Sequence, residues 1–514
     1  MNVKIITTCI ALSALMLTAC GPSAKEIEEA LKKDRARNIT LPKNDYHYKV
    51  TKDYIEDEPD ADYLHASEAA HEAFRDIKFA VRIHWGIYSI WEMNGESWGF
   101  LNLSDVRKAE YNELYKTFNP TGFDANEWMD LFRRAGIQCM AFTTKHHEGF
   151  SMYDTKTQVV QRADYIDSLN PIEQCHLAYS IMETPFKRDV VKELCDAAHE
   201  RNIKIDLYFS HPDWYDADFR PYNGHPLTTL SVKTNTAMYG NDIHFDSTKI
   251  MTEERMPEET ARMVKRHREQ LCELLTNYGK IDMICLDQWL GQDVWEETKK
   301  TVKMMRKLQP DVMLRCRGIG NYGDYYTPEQ FVPESKENTN MPWMTIYPLG
   351  RSFSYDRDSA HYRGAGWIIR NLIDAVAKGG SFMVGIGPNG TGKFHPTAVA
   401  QLEETGRWLD LNGEGIFNSS PCEVWKDGKT RFTQTKDHKY VYAFVDTLKA
   451  EITIAAVTPK ENSKVRMLGY EKDIEWMYTD TGITLTLPSE LLENRPCKYA
   501  WAFKFEVGNQ KSHI

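Results

Sequence analysis

Four short clusters of polar and aromatic residues follow directly on apolar runs of the sequence. They are His84-Trp85-Gly86, Lys145 to Gly149, Ser210 to Trp214, and Asp287-Gln288-Trp289. Imidazole and carboxylate side chains are common general acids, bases and nucleophiles in enzymes. Groups at the carboxyl ends of parallel strands meet on one face of a (β/α)-barrel. The placement of the clusters therefore favours an enzyme whose active site collects residues that are distant in the sequence.

The adjacent residues His146 and His147 allow three interpretations. With a third histidine they could bind zinc, since imidazole is the commonest metal-binding side chain. Neighbouring residues on a strand point to opposite faces, so the pair could share an ion only where the strand has ended. Neutral imidazoles that hydrogen-bond to sugar hydroxyls fit better, and a structural role stays open. We therefore expect no metal or other cofactor, whereas a zinc hydrolase would lose its activity to a chelator.

Short apolar runs alternate with amphipathic segments and predict the elements that position these clusters. The predicted strands are 79–83, 137–142, 203–208, 281–286, 312–314 and 382–384. Between the first two, Asp124 is a candidate N-cap, apolar residues from Trp128 to Ala135 recur at helical spacing, and Gly136 ends the helix. Alternation of strand and helix predicts a parallel sheet. The sequence has no Gly-rich phosphate loop, which argues against an open nucleotide-binding sheet.

The length of 514 residues exceeds the size at which one hydrophobic core usually stops growing, so two domains are expected. After Gly415 the pattern changes to short alternating runs, such as 439–445 and 483–487, which predict antiparallel strands. The predicted fold class is α/β, with a (β/α)8-like TIM barrel catalytic domain over residues 76–415 and a C-terminal antiparallel β-sandwich over residues 416–514. Residues 20–75 are charged and poor in apolar runs, so we expect a tether there.

The first twenty residues predict export. Lys4 supplies a positive charge, residues 5–17 are mostly apolar, and Leu17-Thr18-Ala19-Cys20 resembles a bacterial lipobox. We expect a lipoprotein signal peptide over residues 1–19 and lipidation of Cys20, which would anchor the protein to a bacterial membrane in the periplasm or at the cell surface. The apolar run is too short for a good spanning helix, so the lipid is the only membrane contact expected. An ordinary signal peptide with an incidental cysteine is the alternative.

Charge and cysteine usage exclude other classes of protein. The formal net charge is −11 and no basic tract is present, so a nucleic acid partner is not expected. None of the ten cysteines forms a C-x-x-C pair, which argues against a zinc knuckle or a dithiol redox site. The oligomeric state stays open at this level.

Several motifs in a fixed order carry a resemblance to a known family. They are His84 to Ser89, Phe123 to Trp128, Thr144 to Phe150, Lys187-Arg188-Asp189, and Ser381 to Pro388 followed by Trp408 to Glu414. Together they resemble the α-L-fucosidase family of retaining glycoside hydrolases. The resemblance covers roughly residues 79–417. It implies a barrel fold, exo-acting release of a terminal α-L-fucose from an oligosaccharide or polysaccharide by double displacement, and no cofactor.

The same resemblance implies roles for individual residues. Asp287, at the end of the strand that follows Tyr278-Gly279, is the expected nucleophile. The residues expected to contact the sugar are His84, His146 and His147 at its secondary hydroxyls, Tyr208 and Trp214 along the pocket, and Arg317 at a ring substituent or at Asp287. Trp85, Trp98 and Trp214 are candidates for an apolar wall against the C6 methyl group of fucose, with ordinary core packing as the alternative.

Two positions depart from the family pattern. Met344 stands where many members carry the acid/base glutamate, so another carboxyl group must serve, and we favour Glu334 or Glu337 over Glu329 and Glu96. The second departure is Cys285, at a position where related sequences commonly have Trp. A thiol there is expected to open space beside the nucleophile. An α-L-galactosidase and a carbohydrate-binding protein that has lost catalysis are therefore alternatives to an α-L-fucosidase.

Overall fold

The protein is described by a computed structural model over residues 23–42, 46–167, 170–220, 225–227, 255–333, 339–480 and 482–508. Several sequence-based predictions lie outside these residues: the signal peptide 1–19, the lipidation site Cys20, and the two favoured acid/base candidates Glu334 and Glu337.

Seven parallel strands form the first sheet, and a two-stranded ribbon accompanies it. The strands are β1 (Phe79–Ile83), β2 (Cys139–Lys145), the ribbon β3 (Val159–Ala163) and β4 (Ile172–Leu177), β5 (Lys204–Ser210), β6 (Met283–Asp287), β7 (Met313–Leu314), β8 (Met344–Pro348) and β9 (Ser381–Ile386). The order in the sheet is β7-β6-β5-β2-β1-β9-β8. All its pairings are parallel, as the alternation of strands and helices predicts.

A short segment at Tyr325 and Tyr326 closes this sheet between its two edge strands. Tyr325 forms a parallel bridge with Arg315, directly after β7, and Tyr326 forms one with Trp343, directly before β8. The N–H of Cys316 donates to the Tyr325 carbonyl at 2.9 Å, and the N–H of Met344 donates to the Tyr326 carbonyl at 3.2 Å. The segment fills the eighth strand position, and the predicted barrel is confirmed.

Helices cover the outside of the barrel. They are α1 (Ala24–Ala36), α2 (Tyr46–Thr51), α3 (Glu68–Arg75), α4 (Asp105–Asn112), α5 (Ala125–Arg134), α6 (Val190–Glu200), α7 (Pro257–Thr276), α8 (Trp295–Leu308), α9 (Ala365–Ala377) and α10 (Pro396–Asn412), with α11 (Ser489–Glu493) in the C-terminal domain. The prediction for α5 is confirmed: the Asp124 carboxylate accepts from the N–H groups of Asn126 and Glu127, and Gly136 takes φ +77° after the last turn.

In the described part of the chain, no helix has both the length and the apolar character of a membrane span.

The expectation of a tether over residues 20–75 is wrong for the described part of that segment. α1, α2 and α3 lie in it, and Leu41, Tyr63 and Ala66 are buried. The Tyr63 hydroxyl donates to the Tyr322 carbonyl at 2.6 Å, so the segment is fixed to the barrel. Its few apolar residues do not form a periodic run, because each fills a separate gap in the surface of the barrel.

The C-terminal domain is built from eight antiparallel strands. They are β10 (Ser419–Asp427), β11 (Thr430–Thr435), β12 (Tyr440–Val445), β13 (Glu451–Ile454), β14 (Val465–Met467), β15 (Asp473–Thr479), β16 (Gly482–Thr486) and β17 (Trp501–Glu506). β15 connects two faces, because its first residues pair with β14 and its later ones with β16. Between them lies an apolar core that includes Phe432, Ile483 and Phe503, which confirms the predicted sandwich. The Trp408 indole N–H donates to the Ala500 carbonyl at 2.9 Å and joins the domain to the barrel.

Candidate active site

Asp287 is the last residue of β6, at the carboxyl end of the barrel. Its Oδ1 accepts from Arg317 Nη1 at 2.6 Å and lies 3.4 Å from Arg315 Nη1. Its Oδ2 accepts from the Tyr208 hydroxyl at 2.6 Å and lies 3.5 Å from His147 Nε2. Two guanidinium groups stabilise the charged form of a carboxyl group, so the contacts keep Asp287 available as a carboxylate.

Tyr208 lies in β5, next to β6, and reaches Asp287 because the register pairs it with Cys285, two residues before Asp287. Burial, together with the neighbouring carboxylate, holds the pKa of Tyr208 well above its ordinary value. The hydroxyl therefore keeps its proton and donates it in a hydrogen bond to Asp287.

Three histidines lie at the same end of the barrel, and their rings contact one another. The ring centroids of His84 and His146 are 5.2 Å apart, and those of His146 and His147 are 4.3 Å apart. His84 Nδ1 lies 2.8 Å from the Thr143 hydroxyl, and His146 Nδ1 lies 2.5 Å from the Ser97 hydroxyl. These contacts leave the Nε2 atoms of His84 and His146 for a ligand.

Burial lowers the pKa of all three imidazoles, to about 4 for His147 and well below the ordinary value for His84 and His146. They are therefore neutral at physiological pH. A neutral imidazole offers one donor and one acceptor, which is what binding of sugar hydroxyls requires.

Two of the three predicted tryptophans form an aromatic wall beside His147. The Trp98 and Trp214 rings are 5.1 Å apart, and they lie 4.6 Å and 5.2 Å from the His147 ring. Trp85 is not part of this wall, and its predicted contact with the substrate is wrong. It is fully buried against Phe118, Phe123 and Trp128, and its indole N–H donates to the Asn389 carbonyl.

Cys285 does not open space beside Asp287. Its side chain is buried inside the barrel, where Arg82 Nη2 lies 3.0 Å and Arg315 Nη1 lies 3.3 Å from the sulfur. Arg82 also lies 3.5 Å from Asp206. The sulfur therefore faces two guanidinium groups inside the barrel. The expected widening of the pocket is therefore wrong.

We expect substitution of Cys285 to affect stability more than sugar preference. Cys285→Leu removes an acceptor from two buried guanidinium groups and should lower the free energy of unfolding by about 1–3 kcal/mol. Cys285→Ser keeps an acceptor and serves as the matched control. Urea unfolding measures the first effect. The ratio of kcat/KM for an α-L-fucoside and an α-L-galactoside should stay within about 3-fold in both variants, below the 10-fold or more expected from a change in the pocket wall. A larger change in either variant would contradict this account.

Glu329 is the carboxyl group that Arg317 connects to Asp287. Arg317 Nη2 lies 3.3 Å from Glu329 Oε2, while Nη1 of the same guanidinium contacts Asp287. The Glu329 side chain is 40 % exposed, so it can exchange a proton with solvent. The backbone of Glu329 bridges Ile346 in the middle of β8, and the contact with Arg317 holds its side chain near Asp287.

Glu96 is a different kind of carboxyl group. Its Oε1 accepts from the Ser354 N–H at 2.7 Å. Burial, together with the nearby charge of Glu329, raises the pKa of Glu96 to about 8. Glu96 is therefore protonated at neutral pH, and its contact with the backbone gives it a role in holding the loop at Ser354.

Met344 is not at the acid/base position that the spacing of the sequence implies. It is the first residue of β8 and pairs with Ser381, the first residue of β9. Its side chain is buried with Met283, Met313 and Met383 inside the barrel. Met344 therefore lies at the end opposite Asp287, and it gives no reason to infer a loss of catalysis.

In the described part of the chain, no three His, Cys, Asp or Glu side chains lie close enough together to hold a zinc ion. The eight cysteines in that part are free thiols.

The functional side chains that the sequence interpretation missed are Arg315 and Arg82. Their signal was an arginine in or directly after a short apolar strand, Arg82 in β1 and Arg315 directly after β7.

Comparison with known proteins identifies the family of the chain. Residues 47–414 match the family model described as alpha-L-fucosidase, and residues 424–506 match the alpha-L-fucosidase C-terminal domain. The chain belongs to the α-L-fucosidase family. This confirms the resemblance of the motifs, and the family makes the protein a glycoside hydrolase.

The relatives of this fucosidase-family chain cover most of its length. Tissue alpha-L-fucosidase of Homo sapiens is 28 % identical over 467 residues, which are 84 % of this chain and 88 % of that protein. The alpha-L-fucosidase of Dictyostelium discoideum is 25 % identical over 467 residues, 84 % and 91 % of the two chains.

Solved structures of fucosidases share the fold. Isoenzyme 1 of Paenibacillus thiaminolyticus has a TM-score of 0.70 at 23 % identity and covers 86 % of this chain and 99 % of its own. An alpha-L-fucosidase of Bacteroides thetaiotaomicron, solved as a trapped covalent intermediate with 2-fluoro-fucosyl fluoride, has a TM-score of 0.68 at 21 % identity and covers 88 % and 98 %.

Proposed function

We propose that the protein is an exo-acting retaining α-L-fucosidase in which Asp287 is the nucleophile and Glu329 the acid/base. The observation that carries the proposal is the single guanidinium of Arg317 lying between the two carboxyl groups. A retaining glycosidase needs two carboxyl groups about 5–5.5 Å apart, and two groups held by one guanidinium are close enough to act on the same glycosidic bond.

In the first step, Asp287 attacks the anomeric carbon and the bond from that carbon to the leaving oxygen breaks. Glu329 gives its proton to the leaving oxygen, and a fucosyl ester of Asp287 remains. In the second step, Glu329 takes a proton from water, whose oxygen attacks the same carbon and releases Asp287. Two inversions give net retention of configuration. Arg315 and Arg317 favour the carboxylate of Asp287 before and after the ester forms.

Sugar recognition is assigned to the neutral histidines and to the aromatic wall. The Nδ1 atoms of His84 and His146 contact the hydroxyls of Thr143 and Ser97, so the Nε2 atoms suit hydroxyl groups of the sugar. Trp98 and Trp214 suit an apolar substituent such as the C6 methyl of fucose. The covalent intermediate of the Bacteroides thetaiotaomicron fucosidase supports the same double displacement for this chain. α-L-Galactose, which carries a hydroxyl at C6, is the alternative sugar, and a binding protein without catalysis is the alternative class.

The test uses activated aryl glycosides. An aryl α-L-fucoside should be hydrolysed, with the α-anomer of fucose as the first product seen by proton NMR and with no loss of rate after treatment with a chelator. Faster turnover of the matched aryl α-L-galactoside would reassign the sugar. Binding of fucose without any hydrolysis would contradict the enzyme, and a β-anomer as first product would contradict the retaining mechanism.

Export and lipid anchoring stay predictions from residues 1–20. Expression of the full chain with labelled fatty acid should label the wild-type protein and not Cys20→Ser. The substitution should also move the protein from the membrane fraction to the soluble one. Equal labelling of both proteins would contradict lipidation of Cys20.

A further inference from the structure

Residues 23–42 precede the part of the chain that matches the catalytic family model, which begins at residue 47. We call this segment, α1 and the extended residues after it, the amino-terminal brace. The described residues between β7 and β8, 315–333 and 339–343, are called the catalytic loop, because they carry Arg317 and Glu329. In the described part of the chain, two direct contacts and a third through His65 connect the brace to the catalytic loop.

The first contact uses the side chain of Asn340, near the end of the catalytic loop. Its Nδ2 donates to the carbonyls of Arg37 and Asn38 at 3.1 and 3.0 Å. Its Oδ1 accepts from the N–H of Thr40 at 2.9 Å. The Thr339 hydroxyl adds a bond to the Thr40 carbonyl at 2.5 Å. A single amide thus connects three backbone groups of the brace to the catalytic loop.

The second contact is apolar. Leu41 of the brace is 3 % exposed and forms a cluster with Tyr326 and Met341, against which Cys316 also packs. Cys316 is the residue before Arg317, and Tyr326 is three residues before Glu329. The cluster therefore lies directly behind both ends of the segment that carries the two side chains.

The third contact is polar and buried. His65 Nδ1 lies 2.9 Å from Asp34 Oδ2 of α1, and His65 Nε2 lies 2.6 Å from the Asn321 carbonyl. His65 therefore connects the brace to the turn that follows Arg317. Together with the other contacts, it restrains the catalytic loop from the side of the brace.

We propose that the amino-terminal brace positions Glu329 for proton transfer, and that Asn340 and Leu41 are positioning residues of this reaction. The inference rests on the proposed function, which makes Glu329 the acid. A general acid must lie within hydrogen-bonding distance of the leaving oxygen. Asp287 belongs to the rigid sheet, whereas Glu329 belongs to a long connection whose outer side is held by the brace. Weakening the brace should therefore harm proton donation more than nucleophilic attack.

The experiment compares leaving groups in the full-length protein. Asn340→Ala and Leu41→Ala are matched with Asn126→Ala and Ile27→Ala, which change exposed residues of α5 and of the brace itself. For each protein, kcat/KM is measured with aryl α-L-fucosides whose leaving groups range from dinitrophenol, which needs no proton, to phenol, which does. Thermal unfolding is measured in parallel.

We expect both brace variants to lose about 10-fold or more on the phenyl fucoside and less than about 3-fold on the dinitrophenyl fucoside, because misplacement by 1 Å can cost about 10²-fold in a step that needs alignment. Both controls should behave as wild type. Asn340→Asp places a carboxylate oxygen against the carbonyls of Arg37 and Asn38, where the amide donated, and should lose at least as much as Asn340→Ala.

Equal losses on both substrates, or unchanged rates in folded Asn340→Ala and Leu41→Ala, would overturn the role of the brace. If one variant fails to fold, the other and Asn340→Asp decide the result. Failure of the wild-type protein to hydrolyse the dinitrophenyl fucoside would instead contradict the proposed function, so the two failures are distinguishable.

Discussion

Asp287→Ala should lower kcat for an activated aryl α-L-fucoside by at least about 10³-fold, because no covalent intermediate can form without the nucleophile. The matched control is Asp282→Ala. Asp282 comes directly before β6, at the opposite end of the barrel, where it accepts from the Ile205 N–H and lies 3.2 Å from Lys204 Nζ. This control should keep kcat near that of wild type even if it lowers stability.

Adding azide to Asp287→Ala tests the first prediction through the configuration of the product. A small anion that enters the space left by the Asp287 carboxylate can attack the anomeric carbon directly and expel the activated leaving group. One inversion then gives β-L-fucosyl azide. Activity of Asp287→Ala near that of wild type, or rescue that yields the α-azide, would show that another residue is the nucleophile.

Glu329→Ala should have the second largest effect, and its size should depend on the leaving group. Without the acid, kcat/KM for a phenyl fucoside should fall by about 10²–10⁴-fold, the usual contribution of general acid catalysis. Formation of the fucosyl ester from a dinitrophenyl fucoside should be nearly unaffected. Azide can then attack this ester without base catalysis, and two inversions give α-L-fucosyl azide.

Glu96→Gln is the control for Glu329→Ala. The pKa of Glu96 is raised to about 8 by burial, so an uncharged amide resembles the protonated carboxyl group that is present at neutral pH. This variant should keep the leaving-group dependence of wild type. If Glu96→Gln gives the steep dependence and Glu329→Ala does not, the acid/base assignment passes to Glu96.

Several site residues were predictable because strand ends in a barrel meet at one place. Asp287, His84, His146 and Tyr208 each lie in or directly after an apolar run, and the structure brings them together. The limits of these runs were less predictable. β2 and β5 extend through Lys145 and Ser210, because buried polar residues also pair in the sheet.

The position of Glu329, the proposed acid/base residue, illustrates what spacing along the chain cannot predict. Glu329 and Met344 lie in the same connection and the strand that follows it. Only the tertiary contacts of Arg317 show that Glu329 lies near Asp287, and only the register of β8 shows that Met344 lies at the other end of the barrel. The register of β8 was not predictable, because its five residues include both Thr345 and Pro348 and show no clear alternation.

The sequence by itself determined the class of the protein: a parallel barrel, an antiparallel sandwich, and a carboxyl group at the end of the strand 283–287. Local periodicity and motif order encode these features. Only the tertiary structure decided that Trp85 is core, that Arg82 and Arg315 surround Cys285, and that residues 23–42 hold the catalytic loop. The physical reason is that each of these contacts joins residues from separate elements. Their side chains have the same apolar or charged character whether they face a pocket, the core or another segment.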